Sequence, residues 1–340
     1  MNNFTYARPT SVEEAIEARS QHSGATYIAG GTNLIDLMKE NVTRPAHLID
    51  INHLPLASIE ALPDGGLRLG ALAPNADTAW HPEVKKRYPI LSQAMLSAAS
   101  AQLRNLATNG GNLLQRTRCY YFYDVATPCN KRQPGSGCSA INGFNRIHAI
   151  LGTSDQCIAT HPSDMCVALA CLDATICVQG MSGERRIPMA DFHRLPGDRP
   201  EYDNVLQPKE LITAIELPAR GFAKHYCYLK IRDRASYAFA LVSVAAALEL
   251  KDNTIQAARL ALGGIAHKPW RDKEAEALMV GKPPVEETFL AAARKITASA
   301  RGYGDNDFKI ELTRRGIVRA FTQALKAPAS VSDVYQTPVL

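Results

Sequence analysis

Four cysteines, Cys119, Cys129, Cys138 and Cys157, stand in one polar, turn-rich stretch, separated by nine, eight and eighteen residues. Small zinc modules use gaps of about two residues between paired thiolates, so these four must converge from a long wrap. The segment CYYFYDVATPCNKRQPGSGCSAINGF carries Pro128, Pro134, Gly135, Gly137 and Gly143, which excludes a regular helix or a central strand. A loop this long in a compact domain is either functional or disordered, and the run Tyr120-Tyr121-Phe122-Tyr123 asks for burial. Four thiolates meeting from such a wrap suit a cubane iron–sulfur cluster. Two disulfides, unrelated buried thiols and a four-thiolate zinc are the alternatives. Cys166, Cys171 and Cys177, in MCVALACLDATICV, and Cys227, in a strand-like run, read as ordinary core thiols.

The second chemical signal is glycine. Gly30-Gly31-Thr32-Asn33 lies between a strand expected over 25–29 and a helix expected over 34–39. Strand, glycine pair and helix outline a phosphate cradle, because glycine lets backbone approach a pyrophosphate and free amides at the helix start face the anion. A second loop, Thr108-Asn109-Gly110-Gly111-Asn112, precedes the first cysteine, and the two loops together suit the diphosphate of a dinucleotide. No nucleophile–base–acid arrangement is visible, so no residue is assigned a catalytic role. His161 and His267, each close to a proline, read as structural hydrogen-bonding groups.

The elements that must position these residues follow from periodicity. Ser11 followed by Glu13 and Glu14 starts a helix through Arg19, and 47–51 is a buried strand. Residues 59–61 and 67–70 form a hairpin around Asp64-Gly65-Gly66. Apolar spacing predicts one helix over 88–107, strands over 226–231 and 258–263, helices over 286–298 and 308–325, and a loose tail over 327–340. With 340 residues, 46% hydrophobic and 21% charged, the chain has ample core. A net charge of +5 without a basic block argues against nucleic acid as a partner. No apolar run reaches the length of a membrane span, and the amino terminus lacks the pattern of a signal peptide.

Four segments carry a resemblance: IAGGTNLIDLMK (28–39), AQLRNLATNGGNLLQ (101–115), ATHPSDM (159–165) and ALGGIAHKPWR (261–271). In this order, the chain resembles the FAD-binding subunits of the molybdenum hydroxylases, the family of xanthine dehydrogenase, carbon monoxide dehydrogenase and 4-hydroxybenzoyl-CoA reductase. CYYFYDVATPCNKR and RDRASYAFALVSVAA are similar to the flavoprotein subunits of three-subunit bacterial periplasmic aldehyde oxidoreductases. The resemblance implies an α+β fold. Residues 1–55 and 56–218 would form a two-part FAD-binding domain of the PCMH, vanillyl-alcohol-oxidase-like, type, with an iron–sulfur insertion at about 115–158. Residues 222–326 would form a C-terminal α/β domain of the CO dehydrogenase flavoprotein type.

It further implies that Tyr27, Ile28, Ala29, Gly30, Gly31, Thr32, Asn33 and Leu34, with Thr108, Gly110, Gly111 and Asn112, hold the FAD diphosphate. Asp164 would bind the ribose or phosphate side, and Leu206 and Lys230 would line the flavin. The flavoprotein subunit of 4-hydroxybenzoyl-CoA reductase carries a cysteine insertion that binds a [4Fe-4S] cluster, which supports Cys119, Cys129, Cys138 and Cys157 as ligands. The expected function is the FAD and [4Fe-4S] electron-transfer subunit of a heterotrimeric molybdenum-dependent aldehyde oxidoreductase. Its partners would be a large molybdenum-cofactor subunit, a small [2Fe-2S] subunit and an external electron acceptor. The alternatives are the flavoprotein subunit of a xanthine dehydrogenase or hydroxybenzoyl-CoA-reductase-like enzyme, a self-contained FAD oxidase, and a zinc-stapled interaction protein. The resemblance implies a periplasmic location, reached as a folded passenger on a partner with a twin-arginine signal; the amino terminus alone favours the cytoplasm.

Overall fold

Three sheets, drawn in order from the chain, carry the architecture in a computed structural model that describes residues 1–326. The tail expected over 327–340 lies outside the described residues. The first sheet has the order β1-β3-β2, all parallel, from Thr5–Ala7 (β1), Ala25–Ile28 (β2) and His47–Asp50 (β3). Helix α1 (Val12–Gln21) starts at Ser11, whose hydroxyl accepts from the Glu14 amide, while Glu14 accepts from Thr10 N at 2.8 Å. Helix α2 (Leu34–Lys39) follows the first glycine loop.

The second sheet is antiparallel, in the order β4-β5-β8-β6-β7, from Ile59–Ala61 (β4), Leu67–Gly70 (β5), Thr175–Gly180 (β6), Gly183–Pro188 (β7) and Leu211–Leu217 (β8). Its helices include α3 (Asn75–Trp80), α4 (Pro82–Arg87), α5 (Pro89–Ser97), α6 (Ala101–Leu106), α7 (Asn109–Leu113), α8 (Tyr120–Tyr123), α9 (Asp164–Cys171) and α10 (Met189–Phe192). The single helix expected over 88–107 is two. Ala99 takes φ 48°, a left-handed conformation that breaks the ladder, and the Ser100 hydroxyl then caps α6 by accepting from Leu103 N. The break opens a bend at Ala98 and Ala99, which line the large cleft described below.

The third sheet, β12-β11-β10-β9, is an antiparallel meander of Tyr226–Ile231 (β9), Val242–Lys251 (β10), Thr254–Gly263 (β11) and Trp270–Arg271 (β12), followed by α11 (Lys273–Ala277), α12 (Glu286–Ile296) and α13 (Phe308–Leu325). Asp252 and Asn253 close β10 to β11 with φ 49° and 53°, the two positive values of a tight hairpin turn. Both faces of this sheet are buried. Val244, Ala246 and Leu248 pack with Phe289 and Phe321 of α12 and α13, while the alternating Ala245 and Ala247 join the core of α5 and α9. Small residues on that second face let α9 approach closely, and α9 starts at Asp164. Cys166 and Cys171 are buried on α9 and Cys177 on β6, as core thiols.

Candidate functional site

Between the units lies a cleft of about 1010 Å³. Every residue expected at the flavin lines it: Tyr27 through Leu34, Thr108, Gly110, Gly111, Asn112, Asp164, Leu206 and Lys230. The first glycine loop bends at Gly31, with φ +69°. Among the described residues, the backbone N–H groups of Gly30, Gly31, Thr32 and Asn33 have no intramolecular acceptor. Four successive free amides make a concave donor surface, the chemistry a diphosphate needs. Gly30 does a different task, since a Cβ there would overlap the Leu106 carbonyl oxygen, so its absence lets the loop lie against the end of α6.

The second glycine loop differs from the first. Its N–H groups are already bonded: Asn109 N to Ala73 O, Gly110 N to Ala71 O at 2.7 Å, and Gly111 N to the Thr108 hydroxyl at 3.2 Å. The buried Asn109 amide donates to Gly70 O and to Thr78 Oγ1, pinning α7 to the second sheet. What this loop presents to the cleft is side chain and bare glycine surface. Asn112 Oδ1 accepts from Ser163 Oγ at 2.6 Å, tying the loop to the start of α9.

Asp164 and Lys230 meet in a buried ion pair at 2.7 Å, with side chains 5% and 4% exposed. Tyr228 donates its hydroxyl to the same carboxylate at 2.7 Å, and burial followed by the Asp164 charge pushes that phenol well above its ordinary value. Tyr228 and Lys230 are two apart on β9 and so share a face; that alternation was the available signal for Tyr228, which sequence reasoning missed. Also missed were Arg116 and Arg118, which line the cleft between the second loop and the first cysteine. Arg116 N donates to Asn33 Oδ1 at 2.9 Å, and its guanidinium pairs with Asp203 at 2.6 Å. Lys131, buried in the cysteine segment, pairs with the same carboxylate. Burial raises the Asp203 pKa, but Lys131 and Arg116 outweigh it and hold the carboxyl well below its ordinary value.

The cysteine segment forms one short helix, α8, and otherwise turns. Its aromatic run is split, with Phe122 fully buried and Tyr120 half-exposed at the cleft. Cys119, Cys129, Cys138 and Cys157 gather in one apolar cluster with Leu37, Phe122 and Ile158. Cys129 faces Cys138 across an isolated bridge, none of the eight cysteines is in a disulfide, and Cys227 is half-buried. Backbone N–H groups point at the sulfurs: Phe122 and Tyr121 at Cys119, Ala140, Ile158 and Ile141 at Cys138, and Ala159 at Cys157. Burial pushes the Cys119 thiol up to about 12, a desolvation that metal ligation would reverse. Four thiolates on one zinc stand about 4 Å apart, from a Zn–S bond of about 2.3 Å. Among the described residues no three of these sulfurs lie within 4.8 Å of one another, while Cys138 and Cys157 are close enough to share a hydrogen bond. The wrap packs directly behind α2, where Asp36 accepts from the Tyr123 hydroxyl at 2.9 Å.

His161, Cys166 and His193 also bring donor atoms within 4.8 Å. Burial holds His193 down to about 4 and His161 well below its ordinary value, and burial followed by the Lys131 charge holds His267 down to about 3. We read these rings, and His267, as neutral packing.

Residues 2–220 match the family described as FAD binding domain in molybdopterin dehydrogenase, and residues 226–324 match the CO dehydrogenase flavoprotein C-terminal domain. The chain belongs to the FAD-binding subunits of the molybdenum hydroxylases. It is 50% identical to the aldehyde oxidoreductase FAD-binding subunit PaoB of Escherichia coli K12 over 95% of this chain and 99% of that one. With the glyceraldehyde dehydrogenase medium chain of Sulfolobus acidocaldarius it shares 28% identity over 94% of this chain and 95% of the other. A chain of carbon monoxide dehydrogenase from Hydrogenophaga pseudoflava superposes with a TM-score of 0.75 at 26% identity, covering 95% of this chain and 97% of that one. This FAD-binding subunit is thus an oxidoreductase component with mixed helix and sheet in both matched domains. Among its described residues no helix is long and apolar enough to cross a membrane.

Proposed function

We infer that this FAD-binding subunit carries FAD and one [4Fe-4S] cluster in a heterotrimeric molybdenum-dependent aldehyde oxidoreductase, taking electrons from partner [2Fe-2S] clusters to an external acceptor. The observation that carries this reading is the back-to-back arrangement of the two sites, with the glycine loop of α2 on the cleft side and Leu37 of the same helix among the four thiols. FAD and the cluster supply the redox chemistry when bound. The chain's own residues hold and insulate: the amides of residues 30–33 face the diphosphate, Thr108 and Asn112 frame it, and Leu206 and Lys230 flank the flavin. Cys119, Cys129, Cys138 and Cys157 ligate iron inside an apolar shell. The likeness to the aldehyde oxidoreductase subunit supports aldehyde as the substrate class of the whole enzyme, oxidised on a large molybdenum subunit and not on this chain.

One absorbance spectrum with iron and sulfide analysis tests the cofactor content, and Cys→Ser at any of the four positions lowers both iron and sulfide. Equal iron in wild type and all four variants rejects the cluster. The purified chain bleaches with dithionite and reoxidises in air, with aldehyde turnover only after the molybdenum and [2Fe-2S] partners are added. Flavin reduction by aldehyde in the chain alone would instead favour a self-contained oxidase. The location we propose is periplasmic, by folded export on a twin-arginine partner; recovery of the native complex from the cytoplasmic fraction rejects it.

A further inference from the structure

One side chain outside the thiol set reaches a proposed ligand. His148, 1% exposed, places Nε2 at 3.1 Å from Cys119 Sγ, and its Nδ1 has no hydrogen-bond partner. A thiolate only accepts, so the contact selects the tautomer with the proton on Nε2. The backbone that carries the ring is held by side chains of another domain. Lys309, fully buried at the start of α13, donates Nζ to His148 O at 2.8 Å and to Gly264 O at 2.5 Å, and Asn306 Nδ2 donates to Ala149 O at 3.0 Å. His148 N in turn donates to Asn145 O at 2.9 Å. The imidazole therefore has one polar contact and little freedom to leave it.

Resting on the cluster reading, we propose that His148 is a positioning residue for the cluster, donating Nε2–H to the Cys119 thiolate and holding the reduction potential above the value backbone amides alone would give. Taking up one electron makes the ligating sulfur more negative. A donor aimed at that sulfur then stabilises the reduced form more than the oxidised one. Through Lys309 and Asn306 the C-terminal domain fixes the donor, so the potential depends on a contact between domains.

The test uses the full chain with its cofactors. In His148→Leu, which removes the donor and the unpartnered Nδ1 together, iron and sulfide per FAD stay at wild-type level and the EPR-monitored midpoint moves to lower potential. His148→Gln, whose amide N–H reaches toward the same sulfur, restores part of the shift. A full-iron His148→Leu protein with an unchanged midpoint overturns the proposal. Should His148→Leu lose iron, the wild type decides: after 15N-histidine labelling, pulsed EPR of the reduced cluster shows a histidine-nitrogen coupling that His148→Gln lacks, and an iron-replete wild type without it sinks the idea. Absence of iron and sulfide from the wild type removes the cluster reading itself, a result distinct from a full cluster with no histidine coupling.

Discussion

Asp164 lines the cleft and also ties two parts of the fold together. Its carboxylate closes on Lys230 and Tyr228 inside the protein, joining α9 of the FAD-binding domain to β9 of the C-terminal domain. Removing one partner leaves the other charge buried and alone, which costs about 3–5 kcal/mol. Asp164→Ala is therefore expected to lower the urea midpoint substantially in flavin-free protein, and Asp164→Asn with Lys230→Met recovers most of the loss. A shift below about 1 kcal/mol, the range of an exposed pair, would contradict the burial seen here. The Ser-Asp pair marked Asp164 as a site residue from its resemblance alone. Lys230 was named only as a flavin-lining residue; its pairing with Asp164 was not legible, because it is 66 residues away and only the packing of α9 on β9 brings them together.

At the scale of elements, the two glycine loops respond differently to the same substitution. Gly31 sits at φ +69°, with an added Cβ 2.6 Å from Ile35 Cδ1, whereas Gly111 has no positive φ and would meet only Thr108 Oγ1 at 3.0 Å. Gly31→Val is expected to lose flavin and also destabilise the loop, by about 1–3 kcal/mol for a strained conformation. Gly111→Val is expected to lose flavin while the flavin-free protein keeps nearly wild-type stability. Flavin-to-protein absorbance ratios and denaturation midpoints check the pair, and equal destabilisation by both would refute the distinction. Helices α1, α2 and α13 and the β4–β5 hairpin were legible because caps, glycine turns and a one-sided apolar stripe are local signals. Strands β6, β8 and β10 were not anticipated. LITAIEL in β8 is buried at every position, so no alternation marks it as a strand. The Asp252-Asn253 turn beside β10 was a usable signal that went unread.

Across the whole molecule, acid should loosen the join between domains. His161 and His193 belong to the first matched domain and His267 to the second, and burial holds His193 at about 4 and His267 at about 3. A histidine with a lowered folded pKa contributes stability above its ordinary value of about 6.5, and that contribution disappears as pH falls toward the folded value. From pH 7.5 to 5 each shielded ring is expected to remove about 2 kcal/mol, seen as a falling urea midpoint. His267→Phe, which replaces a ring with no partner on either nitrogen, should flatten that slope; an unchanged slope would exclude His267 as its source.

The clamp that Lys309 and Asn306 form on the cysteine wrap also orders events during synthesis. Asn145 donates to Tyr303 O at 2.8 Å, and Lys309 reaches His148 O across 161 positions, so the wrap closes only against residues made long after it. Until that stretch leaves the ribosome, the four thiols sit on a segment without its lid. If the four thiols hold the proposed cluster, iron delivery has a natural window, and it shuts when α13 docks.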